Sequence, residues 1–346
     1  MRVLITINHP AHVYVFRDLI FQLKSKNHEV SVLASDKEGS LLLLNKFGID
    51  HIVLGEHKSS IFSKIVNYPK KWLKIFSFCY QYKPDYALGI ADFYIAQISI
   101  FLSYKSIILT DTEHVKHDPF LTFPFADYVL TPDCFDKEIR PSQIKYNSYH
   151  ELAYLHSNFK PDPSVLDDLG VSKEEKYVIL RIIAWKAFHD IGIEGISENI
   201  IKRIIEVLRP NYRIFISSEE EIASDLEDYR IAIPIEKMHS ALFYSSLYLG
   251  EGATMASEAA ILGTPSIYIN QLNVGYLNDL ERNYQIVFIP KNEKEIFQQI
   301  SKIENDHSDE RRSIREEILE AKLNLTDYLM NFLDKITFQE NINKRP

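Results

Sequence analysis

Side chains that can transfer protons follow several predicted strands in the first half of the chain. His9 and His12 come directly after an apolar strand at residues 3–7, while Asp92 and Glu113 follow two later apolar runs. Imidazoles and carboxylates are common general bases, and the ordinary pKa of histidine, about 6.5, lies near neutral pH. We therefore expect a base for a hydroxyl group among these four residues. For each histidine, a capping or packing role is the alternative.

A glycine-containing stretch in the second half predicts a site for an anion. Gly250 and Gly252 follow a short apolar run at residues 246–249, and a helix-forming segment follows with Thr254 as its expected N-cap. A tight turn before a helix N-terminus collects free N–H groups and the positive end of the helix dipole. Glu258 comes one turn later, close enough to bond a sugar hydroxyl. The alternative is an ordinary turn whose glycines only allow close packing.

Composition limits the class of protein. The chain has 346 residues, 46% of them hydrophobic, which is enough for two domains with separate cores. A net charge of −9 argues against a general nucleic-acid binder. Cys79 and Cys134 are isolated, and no cluster has metal-ligand spacing, so we expect a reducing compartment and no metal. Without a signal peptide or an apolar run of membrane-spanning length, we expect a cytoplasmic protein.

The order of strands and helices predicts two α/β domains. Residues 1–160 alternate strand and helix as an N-terminal Rossmann-like domain, and residues 176–310 repeat the pattern in a second such domain. The proline- and charge-containing segment 157–175 is the expected linker. Residues 311–346 are expected to form a C-terminal helix that crosses back to the first domain, and a tail. The fold class is therefore α/β, with two doubly wound sheets.

Three further elements are expected in the second half. The pattern predicts an acidic helix at residues 219–226, a strand at 231–234 and a single long helix at 310–336. In open sheets of this class, ligands bind at the carboxyl ends of the strands. The first-half residues expected just past such an end are His9, His12, Asp92, Asp111 and Glu113.

The segment 61–80 combines lysines with aromatic residues. Phe62, Tyr68, Trp72, Phe76 and Phe78 alternate with basic side chains, and a proline at position 69 is expected to break the segment into two pieces. One hypothesis is an amphipathic helix on an anionic membrane surface, which would make the protein peripheral at the inner face of the membrane. The alternative is a core-packing helix whose lysines are its solvated side.

Five motifs in a fixed order resemble those of predicted glycosyltransferases grouped as domain of unknown function 354. The motifs are residues 111–114 (DTEH), 121–132 (LTFPFADYVLTP), 154–163 (YLH with PDP), 185–192 (WKAFHDIG) and the stretch that begins at Gly250. The resemblance covers residues 1–336. It implies the GT-B fold, in which two Rossmann-like domains face each other across a cleft, and it leaves the substrate unassigned.

The stretch at Gly250 also resembles the donor-nucleotide loop of GT-B glycosyltransferases and of non-hydrolysing UDP-sugar 2-epimerases. This resemblance implies that Glu258 binds the ribose of a nucleotide sugar, UDP-linked by preference. The residues implied to face the diphosphate are Gly250, Gly252, Ala253 and Thr254.

The chain matches the motifs of the 2-epimerases only in part. Asp92 and Glu113 match two of their catalytic acids, but a second glutamate is missing near residues 115–116. Their His-Arg-Arg-Glu-Asn motif falls on residues 185–190, where only His189 is kept at a shifted position. Epimerisation needs acid and base groups for elimination and for re-addition of the nucleotide, so epimerase ranks second.

Glycosyl transfer needs fewer groups. One base from the first domain deprotonates the acceptor, while Arg181, Lys186 and His189 of the second domain could neutralise the departing diphosphate. For His189, the alternative is that it caps a turn. We therefore expect transfer of a sugar from a nucleotide-sugar co-substrate to a glycan or lipid-linked acceptor, with no metal and no other cofactor. A non-catalytic GT-B binding subunit is a third hypothesis. The oligomeric state stays open.

Overall fold

The chain folds into two compact units. The computed structural model describes residues 1–37, 39–56, 61–113, 118–139, 143–182, 197–218, 221–270, 272–305 and 310–343. Unit 1 comprises Met1–His156 and Lys322–Pro346, and unit 2 comprises Ser157–Ala321. Among the described residues, no helix combines the length and the hydropathy that crossing a bilayer requires.

Unit 1 contains a seven-stranded parallel sheet with the order β3-β2-β1-β4-β5-β6-β7. Strand β1, which lies between β2 and β4, is buried from its second residue to its last, as expected for a mostly apolar strand in a sheet covered on both faces. Val3 of β1 is in register with Val30 of β2 and with Tyr86 of β4. The strands are β1 Arg2–Ile7, β2 Glu29–Asp36, β3 Ile52–Glu56, β4 Tyr86–Ile90, β5 Lys105–Leu109, β6 Tyr128–Pro132 and β7 Gln143–Tyr146.

The helices of the first segment of unit 1 are α1 Pro10–Ser25, α2 Ser40–Lys46, α3 Ile61–Tyr82, α4 Phe93–Ile98 and α5 Asp118–Leu121. The expected break at Pro69 is wrong, because Pro69 lies inside the continuous helix α3. Side chains on both sides of the proline are held in place: Tyr68 stacks on Phe93, and Trp72 packs against the core. Tertiary packing here outweighs the cost of an interior proline.

Unit 2 contains a five-stranded parallel sheet with the order β12-β11-β10-β8-β9. Its strands are β8 Tyr177–Ile182, β9 Arg213–Ser218, β10 Leu247–Gly250, β11 Ser266–Tyr268 and β12 Val287–Phe288. Its helices are α6 Val165–Leu169, α7 Glu198–Leu208, α8 Met238–Tyr244, α9 Ala253–Ile261, α10 Gly275–Tyr284, α11 Glu293–Asn305 and α12 Glu310–Ala321. Two parallel sheets with interleaved helices confirm the predicted α/β fold class.

Two predicted elements of unit 2 are wrong. Residues 221–226 form coil and a turn, not the end of an acidic helix, and residues 231–234 form no strand. Beside this segment, the backbone of Arg230 pairs with Ile216 of β9 as an isolated β-bridge outside the named strands. Pro234 has no N–H to donate to a sheet, which disfavours a strand at this place.

The predicted long helix at 310–336 is two helices. After α12 ends at Ala321, α13 runs from Leu325 to Asn343 and belongs to unit 1. The chain between them is held to unit 1, since Ser148 Oγ donates to the carbonyl of Leu323 at 2.6 Å. Thr326 Oγ1 donates to the carbonyl of Ala153 at 3.1 Å. These bonds fix the turn that separates the two helices.

Candidate functional site

Asp92 is held at the carboxyl end of β4, where it caps a helix. Its Oδ1 accepts hydrogen bonds from the backbone N–H groups of Tyr94 at 2.9 Å and Ile95 at 3.3 Å, the N-cap arrangement for α4. Its Oδ2 accepts from Asn8 Nδ2 at 2.8 Å, and the residue is only 3% exposed. Both carboxylate oxygens therefore join neighbouring elements, and the catalytic role of Asp92 stays a prediction.

A lysine from α3 completes this network. Lys71 Nζ donates to Asn8 Oδ1 at 3.1 Å and to Ser35 Oγ at 2.8 Å, and it lies 5.0 Å from the centre of the Tyr94 ring. Ser35 Oγ in turn donates to Asn8 Oδ1 at 2.7 Å. Burial lowers the pKa of Lys71, while Asp92 opposes that shift. The network orients the Asn8 amide so that its NH₂ group faces Asp92.

His9 and His12 lie together at the start of α1. His9 is the N-cap, and its Nδ1 accepts from the N–H of Ala11 at 3.2 Å. The two imidazole rings are 5.9 Å apart between centres. Burial, together with the charges of His9 and His150, lowers the pKa of His12 to about 3. Because His12 Nδ1 accepts from the N–H of Asn8 at 3.4 Å, the neutral ring carries its proton on Nε2.

A buried aspartate–histidine pair lies beside His12. Asp111, which follows β5, places Oδ2 2.9 Å from Nδ1 of His150, and His150 is 6% exposed. Burial alone would lower the pKa of His150, but Asp111 outweighs burial and raises it above its ordinary value. Burial alone would raise the pKa of Asp111, but His150 outweighs burial and lowers it.

The second ring nitrogen of His150 has an unusual environment. His150 Nε2 is buried, and it has no hydrogen-bond partner among the residues that the structure describes. A carboxylate that orients one nitrogen of an imidazole leaves the other able to exchange a proton, as in the histidine of a catalytic triad. The pair can therefore act as a general base once a hydroxyl group reaches Nε2.

His150 was not among the candidate residues expected from the sequence. The residue opens a short 3-10 turn, His150–Ala153, after β7, a strand that the apolar pattern did not indicate. The acidic partner was visible, because Asp111 follows a predicted strand as Glu113 does. Glu113 is half-buried, and its backbone carbonyl accepts from Lys137 Nζ at 2.7 Å.

Within the described parts of the chain, no group of three or more potential ligands could hold a metal ion.

In unit 2, the turn at Gly250 brings the chain against β8. A Cβ atom at Gly250 would lie 2.5 Å from the carbonyl oxygen and 2.9 Å from the Cα atom of Arg181, so only glycine fits. Gly252, with φ −81° and ψ 108°, is the N-cap of α9, and the expectation of Thr254 at that place is wrong. Thr254 is exposed in the first turn, after Ala253. Because glycine has no side chain, the cap residue does not cover the first N–H groups of the helix.

Glu258 lies in α9, where a histidine holds it. Its Oε1 is 2.9 Å from Nε2 of His239, which belongs to α8, and both residues are 6% exposed. Tyr248 lies nearby, with its hydroxyl donating to the carbonyl of Gly252 at 3.0 Å. His239 was not among the site residues expected from the sequence. A fixed carboxylate one turn into α9 is suited to accept hydrogen bonds from a ligand's hydroxyl groups.

Arg181 stands at the carboxyl end of β8, in register with Gly250 on one side and Ser217 on the other. Its Nη1 donates to Ser217 Oγ at 2.9 Å. The structure thus brings a guanidinium group, the Gly250 turn and Glu258 to one end of the unit 2 sheet. Lys186 and His189, the other predicted cations, lie outside the described residues.

Several known proteins resemble the chain. An uncharacterized protein of Methanocaldococcus jannaschii, MJ0665, is 23% identical over 274 residues, covering 76% of this chain and 80% of the relative. The Staphylococcus aureus MnaA–UDP structure superposes with a TM-score of 0.69 at 14% identity, covering 100% of this chain and 98% of that one. UDP-GlcNAc 2-epimerase from Neisseria meningitidis bound to UDP-GlcNAc gives 0.63 at 12%, covering 97% and 100%.

A glycosyltransferase has the same fold. The spinosyn rhamnosyltransferase SpnG with thymidine diphosphate gives a TM-score of 0.64 at 11% identity, covering 96% of this chain and 100% of that one. At such identities the likeness establishes the fold alone, and it confirms the predicted GT-B class. The family model described as "Protein of unknown function (DUF354)" matches residues 1–330, so the chain belongs to this family.

Proposed function

We propose that the chain is an enzyme that transfers a sugar from a nucleotide sugar, UDP-linked by preference, to a hydroxyl group of a glycan or lipid-linked acceptor. In unit 2, the diphosphate binds at Gly250–Thr254 and the N-terminus of α9, and the ribose hydroxyls bind Glu258. Support comes from structural neighbours that hold UDP, UDP-GlcNAc and thymidine diphosphate. Arg181, Lys186 and His189 stabilise the charge of the departing nucleotide, without a metal ion.

The observation that most supports glycosyl transfer is the Asp111–His150 pair of unit 1. In the proposed step, His150 Nε2 takes the proton of the acceptor hydroxyl, the oxygen forms a bond to the anomeric carbon, and the bond to the nucleotide diphosphate breaks. A buried nitrogen that lacks a hydrogen bond would gain one from the acceptor, which favours this placement. His12, neutral with its proton on Nε2, is suited to donate a hydrogen bond to the sugar or the acceptor.

Epimerisation at C2 of a UDP-sugar is the second candidate. Asp92 and Glu113 match acids of that family, and an epimerase is among the solved structures with the same fold. Both oxygens of Asp92 already accept hydrogen bonds, which leaves it less able to exchange protons in two successive steps. This observation ranks epimerisation below transfer.

The deciding experiment incubates the protein with a panel of nucleotide sugars, with and without acceptor glycans, and follows the products by NMR. Free nucleotide that forms only with acceptor supports transfer. Interconversion of C2 epimers without acceptor would assign the chain to the epimerases. Nucleotide affinity in calorimetry without either reaction would assign it to non-catalytic binding subunits. His150→Gln should abolish most transfer, with a loss of about 10²–10⁴-fold, whereas His28→Gln on the same unit should not.

A further inference from the structure

Unit 1 exposes large apolar side chains on α3, on residues 93–101 and on residues 118–125, which together we call the outer face. They are Leu73, Ile100, Phe101, Phe120, Leu121 and Phe125. Phe101 is 67% exposed and Phe120 is 75% exposed, so these rings contribute little to the core. Single exposed apolar residues are ordinary, but a group on one surface marks an interaction site.

Direct contacts join the segments that form the outer face. Tyr68 in α3 donates its hydroxyl proton to Gln97 Oε1 in α4, and Gln97 Nε2 donates to the carbonyl of Leu121 in α5 at 2.9 Å. The ring of Phe101 meets the ring of Trp72 edge-on, with 5.9 Å between their centres. The three segments are therefore packed side by side, and together they carry the exposed side chains of the outer face.

The exposed residues of α3 are not the aromatic residues on which the membrane hypothesis depended. Trp72, Phe76 and Phe78, which the membrane hypothesis placed outward, pack against the core of unit 1. The solvent-facing stripe of α3 is instead residues 69, 70, 73, 74, 77, 80 and 81. It contains two lysines, Lys70 and Lys74, on either side of Leu73.

The charge of the outer face is opposite to that of the chain. Although the net charge of the chain is −9, the solvent-facing stripe of α3 contains Lys70 and Lys74 and no acidic residue. Residues 93–104 contain no charged residue, and residues 118–126 contain a single acid, Asp118. Acidic side chains on this surface would repel an anionic partner. Their scarcity there therefore favours a partner that carries negative charge.

We propose that the outer face docks on the surface of an anionic lipid bilayer. The exposed Phe and Leu side chains enter the boundary between headgroups and acyl chains, while Lys70 and Lys74 attract the headgroups. Apolar burial combined with attraction to anionic lipid is how peripheral proteins bind bilayers. The proposal rests on unit 1 alone and does not depend on the reaction proposed above.

The test is sedimentation of the full chain with vesicles. Phosphatidylcholine vesicles containing phosphatidylglycerol should bind the protein, pure phosphatidylcholine vesicles should bind it less, and added salt should weaken binding. Removing Lys70 and Lys74 together as Lys70→Gln and Lys74→Gln should cost about fivefold in affinity for each lysine. Lys24→Gln with Lys26→Gln, two exposed lysines of another surface, is the matched control.

The apolar contribution is tested with Phe101→Ser and Phe120→Ser combined, which should reduce vesicle binding strongly. Phe338→Ser is the control, because Phe338 is also 67% exposed but lies on α13. Circular dichroism verifies that each variant is folded. Absence of binding to anionic vesicles, or equal binding by the variant and its control, would overturn the proposal. A dimer in sedimentation equilibrium that the double variant abolishes would assign the outer face to a second copy of the chain instead.

Discussion

Asp111 sets the acid–base behaviour of His150, and this can be measured. The carboxylate raises the pKa of His150 against the opposing effect of burial, so Asp111→Asn should lower that pKa. A general base works when it is deprotonated, and the rate therefore rises as the pH passes through its pKa. We expect the acidic limb of the kcat/KM profile to move to lower pH in Asp111→Asn, with a lower maximum rate.

The control for this prediction is Asp18→Asn, which removes a carboxylate paired with Arg17 elsewhere on unit 1. Its profile should match that of the unmodified protein. An unchanged acidic limb in Asp111→Asn would mean that His150 is not the base. His12 cannot produce this limb near neutral pH, because its pKa is lowered to about 3.

Glu258 and His239 form the corresponding pair in unit 2. Glu258→Ala should weaken UDP binding by about 1–3 kcal/mol, the usual loss when a hydrogen-bonded polar partner is removed. His239→Ala should weaken it less, because it only frees the carboxylate to turn, and His239→Gln should restore part of the loss by donating from its amide. Calorimetry measures all three affinities, with the exposed Glu206→Ala as control. Equal affinities in Glu258→Ala and the unmodified chain would remove Glu258 from the nucleotide site.

At the scale of the elements, Gly250 joins β10 to α9 at a point where no other residue fits. Gly250→Ala would place a methyl group 2.5 Å from the carbonyl oxygen of Arg181, so β8 and β10 must move apart. We expect a loss of about 1–3 kcal/mol in the free energy of unfolding, as for other overpacked sites. Chemical denaturation measures it. Thr254→Ala, four residues on and exposed, should stay within about 0.5 kcal/mol. Equal stability of both variants would show that the turn can relax.

At the scale of the whole molecule, unit 1 is built from two separate parts of the chain. Helix α13 returns to it and packs on α1, with buried apolar side chains that each contribute about 1.5–3 kcal/mol. These side chains are Leu325, Leu329, Met330, Leu333 and Ile336. Their combined contribution is comparable with the about 5–15 kcal/mol that stabilises a typical domain.

Deleting residues 322–346 should therefore unfold unit 1 and leave unit 2 folded. Hydrogen exchange measured by mass spectrometry should lose protection in residues 1–156 and keep it in 157–321. Deletion of residues 341–346, which leaves the buried positions in place, is the control. Full protection of both units after the longer deletion would mean that α13 is dispensable for the fold of unit 1.

Structural features that depend on residues close together in the sequence could be predicted from the sequence. Apolar runs alternating with helical segments indicated the α/β class, and the spacing of Gly250, Gly252 and Glu258 indicated a turn followed by a helix with an acid in its second turn. Local boundaries were less certain: the helix begins after Gly252, not after Thr254, since a glycine in extended conformation serves as the cap. Such shifts of one or two residues are ordinary, because several neighbouring residues can act as caps.

Only the tertiary structure decided which side chains meet. Asp111 joins His150, and Glu258 joins His239, across stretches of chain whose fold sets the distance. A sequence shows that an aspartate follows a strand, but not whether its oxygens cap a helix, as in Asp92, or orient an imidazole, as in Asp111. That outcome depends on how neighbouring strands and the helices between them pack, since a hydrogen bond is lost when its atoms move apart by about 1 Å.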